Sequence, residues 1–214
     1  MTIPFNVEAD QITQLNDIQL TQLLNVLLNA EAIKSGLAQS AVQVALNIRV
    51  SDGGEDGRIK WSGGIERTSF IPNRFTQFQN KATTMTPAEC ANELVASDGT
   101  IKTMVLESLS QNGAYVLFTT QNLNVKQKQA RITKMRNKLT GLGFSSASSA
   151  ELQIYDASQI ANWVNNYLIA ITSVLNWIGR LRIPVKPATI SSPTPPLIPV
   201  QLRHYNNIKG CYDL

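Results

Sequence analysis

The sequence predicts an α/β protein whose elements follow the order αβββαβ and then αβα. Three observations lead to this prediction. Residues 42 to 50 alternate apolar and polar side chains, which is the period of a half-buried strand. Thr86 and Glu89 form a capping box around a proline at the first helical position, a strong helix start. The apolar run from 114 to 119 is typical of a central strand.

The first half of the chain is predicted to hold one helix and three strands. Asn16 with Gln19 can cap a helix, the leucines between positions 20 and 28 repeat on one face, and Gly36 ends it. A glycine-rich acidic turn follows the first strand. The strands are predicted at residues 42 to 50, 57 to 61 and 75 to 81.

The second half alternates helices and strands. The elements are a helix from Thr86, a helical stretch from about Thr100 to Gln111, a strand at Ala114 to Thr119, a basic helix with an apolar stripe from Val125 to Leu142, a strand at Glu151 to Tyr155, and a final helix capped by Asp156 with Gln159. Trp163, Tyr167 and Trp177 lie on that final helix, where core or interface packing is a better explanation than base stacking.

Composition indicates one folded core. The chain has 214 residues, 43% apolar and 16% charged, with a net charge of +4, a mild bias toward polyanionic partners. Cys90 and Cys211 lack a metal-binding spacing, which predicts a reduced cytoplasmic setting, and the start of the chain has no signal-peptide pattern. Tyr167 to Ile178 is too short to span a bilayer. The predicted protein is therefore a cytoplasmic one without a membrane partner.

Proline crowds the end of the chain. From about Ile183 the composition favours an extended linker or arm, so residues 1–182 are predicted to form the functional domain and 183–214 the arm. The sole histidine, His204, lies in this arm, which argues against histidine-dependent hydrolysis. No phosphate-binding loop of the Gly-Lys-Ser/Thr type occurs in the chain.

One group of residues in the sequence is suited to metal binding and catalysis. Asp56 lies in a glycine-rich acidic turn, and Gln79 and Lys81 lie two residues apart on a strand, so both point to one side. The oxygens of Asp56 and Gln79 can bind a hard cation, while the Lys81 ammonium can assist an attacking water or stabilise charge on a phosphate. Asp52 is the alternative to Asp56 as ligand. A hairpin turn followed by a polar edge strand is the purely structural alternative.

These residues resemble the PD-(D/E)xK nuclease superfamily, most closely its Mrr-like restriction endonucleases and the effector nucleases at the N-termini of bacterial anti-phage proteins. The resemblance covers roughly residues 17 to 120 and implies a restriction-endonuclease-like core with a mixed sheet flanked by helices. It implies a Mg²⁺ or Mn²⁺ ion held by Asp56 and Gln79, with Glu31 as a further ligand and with Asp56, Gln79 and Lys81 as catalytic residues. Two positions depart from the pattern, since Gln79 is neutral and Glu55 replaces the usual proline.

The resemblance implies an endonuclease that cuts double-stranded DNA in restriction or anti-phage defence. The predicted nucleic-acid-binding residues are Arg58, Lys128 and Arg131, although the basic helix that holds the last two can equally be a solvated face. A homodimer or higher assembly would supply two active sites, and an NTPase sensor is a further implied partner. The alternative function is a non-catalytic module that binds nucleic acid or protein on the same fold.

Overall fold

The computed structural model describes residues 5–46 and 56–180, which contain one five-stranded sheet with helices on both faces. The strands lie in the sheet in chain order: β1 (Val42–Val44), β2 (Gly57–Lys60), β3 (Phe75–Lys81), β4 (Ala114–Thr119) and β5 (Glu151–Tyr155). The helices are α1 (Ala9–Ile12), α2 (Asp17–Lys34), α3 (Pro87–Asn92), α4 (Thr103–Ser110), α5 (Val125–Gly141), α6 (Ala157–Val164) and α7 (Leu168–Trp177), and a 3-10 helix spans Gln39–Ala41. The predicted α/β class is confirmed.

The sheet is mixed, as predicted. The β1–β2 and β2–β3 pairs are antiparallel, whereas β3–β4 and β4–β5 are parallel. Each parallel pair requires a crossover connection, and α3 with α4 supplies the first and α5 the second. Strand β4 lies between β3 and β5, which explains its continuous apolar sequence. The predicted αβα extension adds its strand, β5, to this same sheet.

The sheet buries a separate core on each face. On one side, which we call the α2 face, Phe78 and Phe118 pack with residues of α1, α2, α6 and α7. On the other side, the α5 face, Tyr115 and Leu117 pack with residues of α3, α4 and α5. Successive residues of a strand point to opposite faces, so Gln79 shares the α5 face with its register partner Leu117.

Trp163 on α6 is part of the core of the α2 face. Its side chain is fully buried, its ring stacks on Phe70 at 5.4 Å between centroids, and it makes edge contacts with Phe118 and Tyr155. These contacts confirm the structural interpretation of this aromatic residue.

Two predicted elements differ from the structure. The first strand was expected to continue to residue 50, but β1 ends at Val44, and residues 47–50 lie outside the described residues. The prediction of one continuous final helix is wrong, because residues 165–167 separate α6 from α7. At this break the Asn165 side chain accepts from the Val7 backbone N–H at 2.8 Å and donates to the Val7 carbonyl at 2.9 Å.

The apolar stripe predicted for the basic helix is only partly buried. Met135 and Leu139 are fully buried, but Val125 at the first position of α5 is 83% exposed. Periodicity alone included Val125, because the spacing of apolar residues does not show where the packed part of a helix begins. The predicted proline-rich segment from Ile183 onwards lies outside the described residues.

Candidate active site

A cavity of about 330 Å³ lies where β3 ends and β2 begins. Three of its lining residues are Asp56, Gln79 and Lys81, the residues in which the sequence predicts catalytic chemistry. Asp17 and Thr21 from the first turns of α2 line the same cavity. The fold therefore brings the predicted constellation to one place.

The antiparallel pairing of β2 with β3 positions Asp56. The Asp56 N–H donates to the carbonyl of Phe78 at 3.3 Å, and Gly57 is the register partner of Phe78. This pairing places Asp56 beside the end of β3. Its Oδ2 accepts from the Gln79 side-chain amide at 2.5 Å and from the Asn80 backbone N–H at 2.6 Å.

The Gln79 amide has one satisfied and one unsatisfied end. The side chain is 5% exposed, and its Nε2 donates to Asp56. The carboxylate fixes the orientation of the amide, because a carboxylate oxygen can only accept. Oε1 then has no hydrogen-bond donor among the described residues. A buried acceptor without a donor is unusual, and a cation is one partner that satisfies it.

Lys81 lies on the same side of β3 as Gln79 and is paired with an acidic residue. Its Nζ is 3.0 Å from Oε1 of Glu93, which follows α3, and Oε2 of Glu93 is 3.5 Å from Nζ of Lys102. The Lys81 side chain is 28% exposed. An ion pair with this exposure stabilises the fold only weakly, by about 1 kcal/mol or less. Glu93 therefore holds the Lys81 ammonium at the rim of the cavity, and the weakness of the ion pair leaves the ammonium able to contact another anion.

The start of α2 is fastened to the end of β3. Asp17 Oδ1 accepts from the Ala82 backbone N–H at 3.0 Å, and Thr21 Oγ1 accepts from the Asn80 side-chain amide at 3.1 Å. Asp17 is exposed and contributes a second carboxylate to the lining of the cavity. The acidic residue that α2 brings to the site is thus Asp17.

Glu31 was expected to be that acidic residue, and the structure places it elsewhere. It lies fourteen residues after Asp17 on the same helix, about 21 Å further along the axis. Its carboxylate is buried, 2% exposed, and accepts a hydrogen bond from the Tyr167 hydroxyl. A metal ion has its ligands within about 2.6 Å, so Glu31 cannot share an ion with Asp56 in this structure.

The donor set at the cavity suits a hard cation but is sparse. It offers only oxygen ligands: the carboxylates of Asp56 and Asp17 and the unpaired Gln79 Oε1. The Gln79 amide nitrogen contacts Asp56 Oδ2, so the two side chains that would supply ligands are neighbours. Within residues 5–46 and 56–180, no three His, Cys, Asp or Glu side chains cluster. Asp52, the alternative to Asp56, lies outside the described residues.

Negative charge on this side of the sheet acts on Tyr115. Complete burial, followed by the charges of Glu93 and Asp56, raises the pKa of Tyr115 well above its ordinary value. Its hydroxyl has no hydrogen-bond partner among the described residues. Tyr115 is therefore a neutral residue beneath the site.

The three predicted nucleic-acid-binding residues have different surroundings. Arg58 on β2 donates to the Gln43 side-chain oxygen at 2.8 and 2.5 Å, and it is partly exposed. Lys128 Nζ is 2.8 Å from Asp156 Oδ1, a fully buried carboxylate. Arg131 is buried and donates to the Met85 carbonyl at 2.6 Å. Lys128 and Arg131 thus serve the packing of α5, whereas Arg58 faces the side of the sheet that holds Gln79.

Sequence reasoning missed Asp17, Thr21 and Asn80 as parts of the site. Asp17 is noticeable in the sequence as an acidic residue directly after the helix-capping Asn16. An acidic residue in the first turn is, however, ordinarily explained by the helix dipole. Only the crossing of α2 over the end of β3 shows that these residues meet.

Comparison with known proteins gives no further guide. Within the described residues, no helix is long and apolar enough to cross a membrane. No protein-family model, curated protein or solved structure matches the chain.

Proposed function

We propose that this protein is a metal-dependent endonuclease that hydrolyses phosphodiester bonds in DNA. One observation carries the proposal: the Asp56 carboxylate contacts the Gln79 amide, and Lys81 reaches the same cavity from the same strand. A carboxylate, a neutral oxygen ligand and an ammonium around one cavity are the groups that such hydrolysis needs.

The topology supports a restriction-endonuclease-like core. From α2 to β4 the elements follow the expected order of a helix, three strands, a helical connection and a further strand. Strand β3 is antiparallel to β2 and parallel to β4, so its end projects the site residues beside the start of β2. This arrangement supports the resemblance on which the proposal depends.

Asp56, Gln79 and Asp17 would hold the metal ion. When bound, the ion would polarise the scissile phosphate and lower the pKa of a bound water. The Asn80 backbone N–H and side-chain amide fix Asp56 and Thr21, and thereby keep the two sides of the cavity together. The Lys81 ammonium can donate to a phosphate oxygen at the rim and stabilise the negative charge that develops there. Gln79 would be a neutral ligand of the ion, which leaves less negative charge to repel the substrate.

A second candidate function is a non-catalytic module that binds nucleic acid or protein. Two observations favour it: the described residues contain no third acidic group at the cavity, and Lys81 is already paired with Glu93. This alternative predicts binding that is independent of divalent cations and no cleavage.

The proposal also includes a biological context, a cofactor and an active assembly. By resemblance, restriction or anti-phage defence is the biological context that we propose, and Mg²⁺ or Mn²⁺ the cofactor. Cleavage of both strands requires two active sites, so a homodimer or a higher assembly is proposed as the active form.

Plasmid cleavage tests the proposal. Supercoiled plasmid is incubated with the full chain and Mg²⁺ or Mn²⁺, beside Asp56→Asn and Lys81→Met. Asp56→Asn keeps an acceptor for both hydrogen bonds but removes the charge, so folding is retained while metal binding is lost. We expect each variant to lose at least about 100-fold in rate.

Matched controls separate site effects from general charge effects. Asp10→Asn and Lys126→Met change exposed residues of α1 and α5 and should cleave like the wild type. The same assays on a fusion to a dimerising coiled coil remove the requirement for assembly. Cleavage that survives Asp56→Asn, or no cleavage by the dimerised wild type with either metal, would refute the proposed activity.

A further inference from the structure

A second and larger cavity, of about 620 Å³, lies at the opposite end of β2 from Asp56. Three cationic residues line it, Lys60, Arg67 and Arg74, against a single carboxylate, Glu66. Trp61, which is partly exposed, lines the cavity as well. Cations beside an aromatic ring form the kind of surface that binds a nucleic-acid backbone and its bases.

Strand β2 connects this cavity to the candidate active site. Arg58 is the register partner of Gln77, and Lys60 is the register partner of Phe75, so both cations lie on the same face of the sheet as Gln79. Asp56 precedes them with the same two-residue spacing. Lys60 is four residues from Asp56, about 13 Å along the strand. Two cations therefore lead from the predicted catalytic carboxylate toward the cavity.

The cations of the cavity keep charge available for a ligand. The Arg74 guanidinium donates to the carbonyls of Ile65 at 2.9 Å and Gly64 at 2.5 Å, which are neutral acceptors. Lys60 Nζ lies 4.3 Å from the Phe75 ring centroid. Arg67 is exposed.

The ion pair that Lys60 forms with Glu107 is weak. Lys60 Nζ is 3.6 Å from Glu107 Oε1, with side chains 47% and 38% exposed. A pair of this kind contributes little to stability and exchanges readily for a better anion. The Gln111 side-chain oxygen, which accepts from the same ammonium at 3.0 Å, is neutral. Lys60 can therefore turn to a phosphate without a large cost.

We infer that Arg58, Lys60, Arg67 and Arg74 form a track that binds the phosphate backbone of a DNA strand whose scissile bond lies at Asp56. The inference rests on the proposed function and adds where the substrate lies. A DNA strand in a duplex rises about 3.4 Å per nucleotide. The 13 Å from Asp56 to Lys60 therefore corresponds to about four nucleotides. Trp61 is placed to contact a base or sugar beyond that point.

Equilibrium binding tests this track. The full chain is titrated into a fluorescently labelled DNA duplex in EDTA, which prevents cleavage, and anisotropy is followed over a range of salt concentrations. Each phosphate contact changes the slope of log K against log salt by about 0.9. For Lys60→Ala with Arg67→Ala we expect a slope that is shallower by about 1.8 and binding about 60-fold weaker near 0.1 M salt.

The control variant carries the same charge change on the other basic surface. Lys126→Ala with Lys134→Ala removes two exposed cations of α5 and should change binding by less than about threefold. Arg67→Ala alone, at an exposed position, should give about half of the change in slope and retain the wild-type melting temperature. Wild-type binding by the track variant, an equal loss in the α5 variant, or no DNA binding by the wild type overturns the inference.

Failure of the track and failure of the nuclease proposal give different results. In EDTA, Asp56→Asn should bind DNA at least as tightly as the wild type, because it removes a negative charge beside the scissile phosphate and no cation of the track. Binding that depends on Lys60 and Arg67, with no metal-dependent cleavage, supports the track and refutes the nuclease. Cleavage that Lys60→Ala with Arg67→Ala leaves unchanged at limiting DNA refutes the track alone.

Discussion

Gln79→Glu tests the candidate metal site without any measurement of cleavage. In the wild type the Gln79 amide donates to Asp56 Oδ2 at 2.5 Å. A glutamate at this position loses the donor and places a second carboxylate against the first. We expect the variant to be unstable without a divalent cation and to regain stability when one is added.

The magnitude follows from this one contact. Loss of a hydrogen bond to a charged acceptor costs about 1.5–3 kcal/mol. Two charges about 3 Å apart repel by about 5 kcal/mol at an effective dielectric constant of about 20. Protonation of the glutamate at position 79 removes the repulsion and again provides a donor to Asp56, so both costs together are limited to that of protonation, about 4 kcal/mol near pH 7.5 for an ordinary glutamate pKa of about 4.3. We therefore expect the free energy of unfolding to fall by about 4 kcal/mol and the melting temperature by about 10 °C.

Thermal unfolding in EDTA and in millimolar Mn²⁺ or Mg²⁺ provides the assay. A cation at one hundred times its dissociation constant restores about 2.7 kcal/mol. Gln77→Glu is the matched control, because Gln77 lies two residues earlier on the same face of β3 and is buried but does not line the cavity. Equal responses of the two variants to cations would show that Asp56 and position 79 do not share a metal ion.

Further predictions concern Glu93, Tyr115 and Arg131. Glu93→Gln removes the carboxylate that holds Lys81, so cleavage should slow about 10-fold or more while DNA affinity in EDTA is unchanged. Tyr115→Phe should raise the free energy of unfolding by about 1 kcal/mol in urea titrations, because the buried hydroxyl has no partner among the described residues. Burial raises the pKa of Tyr115, so the wild type should lose stability above pH 10, by about 1.4 kcal/mol per pH unit from this residue, and the variant should lose less. Arg131→Met removes a buried donor to the Met85 carbonyl and should lower the free energy of unfolding by about 2 kcal/mol, with the salt dependence of DNA binding unchanged.

Each of these predictions has a contrary outcome. A Glu93→Gln protein that cleaves at the wild-type rate would mean that the ion pair does not position Lys81. Destabilisation of Tyr115→Phe by more than about 1 kcal/mol would indicate that the hydroxyl has a bound partner such as buried water. A shallower salt dependence for Arg131→Met would assign Arg131 to DNA binding after all.

Much of the fold could be predicted because helix caps and apolar spacing involve residues that are close together in the sequence. The capping boxes at Asn16 and Thr86 appear as predicted, with both reciprocal hydrogen bonds formed. The leucines of α2 are buried, as their spacing requires. The errors fall where tertiary contacts decide, as at Asn165, whose hydrogen bonds to Val7 accompany the break between α6 and α7.

The candidate site was predictable only in part. Asp56 directly precedes β2 and Gln79 lies on β3. A turn and an alternating pattern suggest the pairing of these strands, and the two side chains do meet. The choice of Glu31 was wrong because the acidic residues of α2 look equivalent in sequence, whereas the helix passes the cavity only at its first turns. The pairing of Lys81 with Glu93 was not foreseen. It joins the last residue of β3 to the residue that follows α3, and the sequence does not show in which direction α3 leaves the strand.

The sequence by itself determined which segments become helices or strands and which strand side carries the polar residues, because these follow from backbone periods and from capping between close neighbours. Tertiary structure alone decided that α2 contributes Asp17, that Arg131 is buried, and that Lys60, Arg67 and Arg74 surround one cavity. The physical reason is distance along the chain. Contacts between remote segments depend on how whole elements pack against the sheet, and no short sequence pattern contains that information.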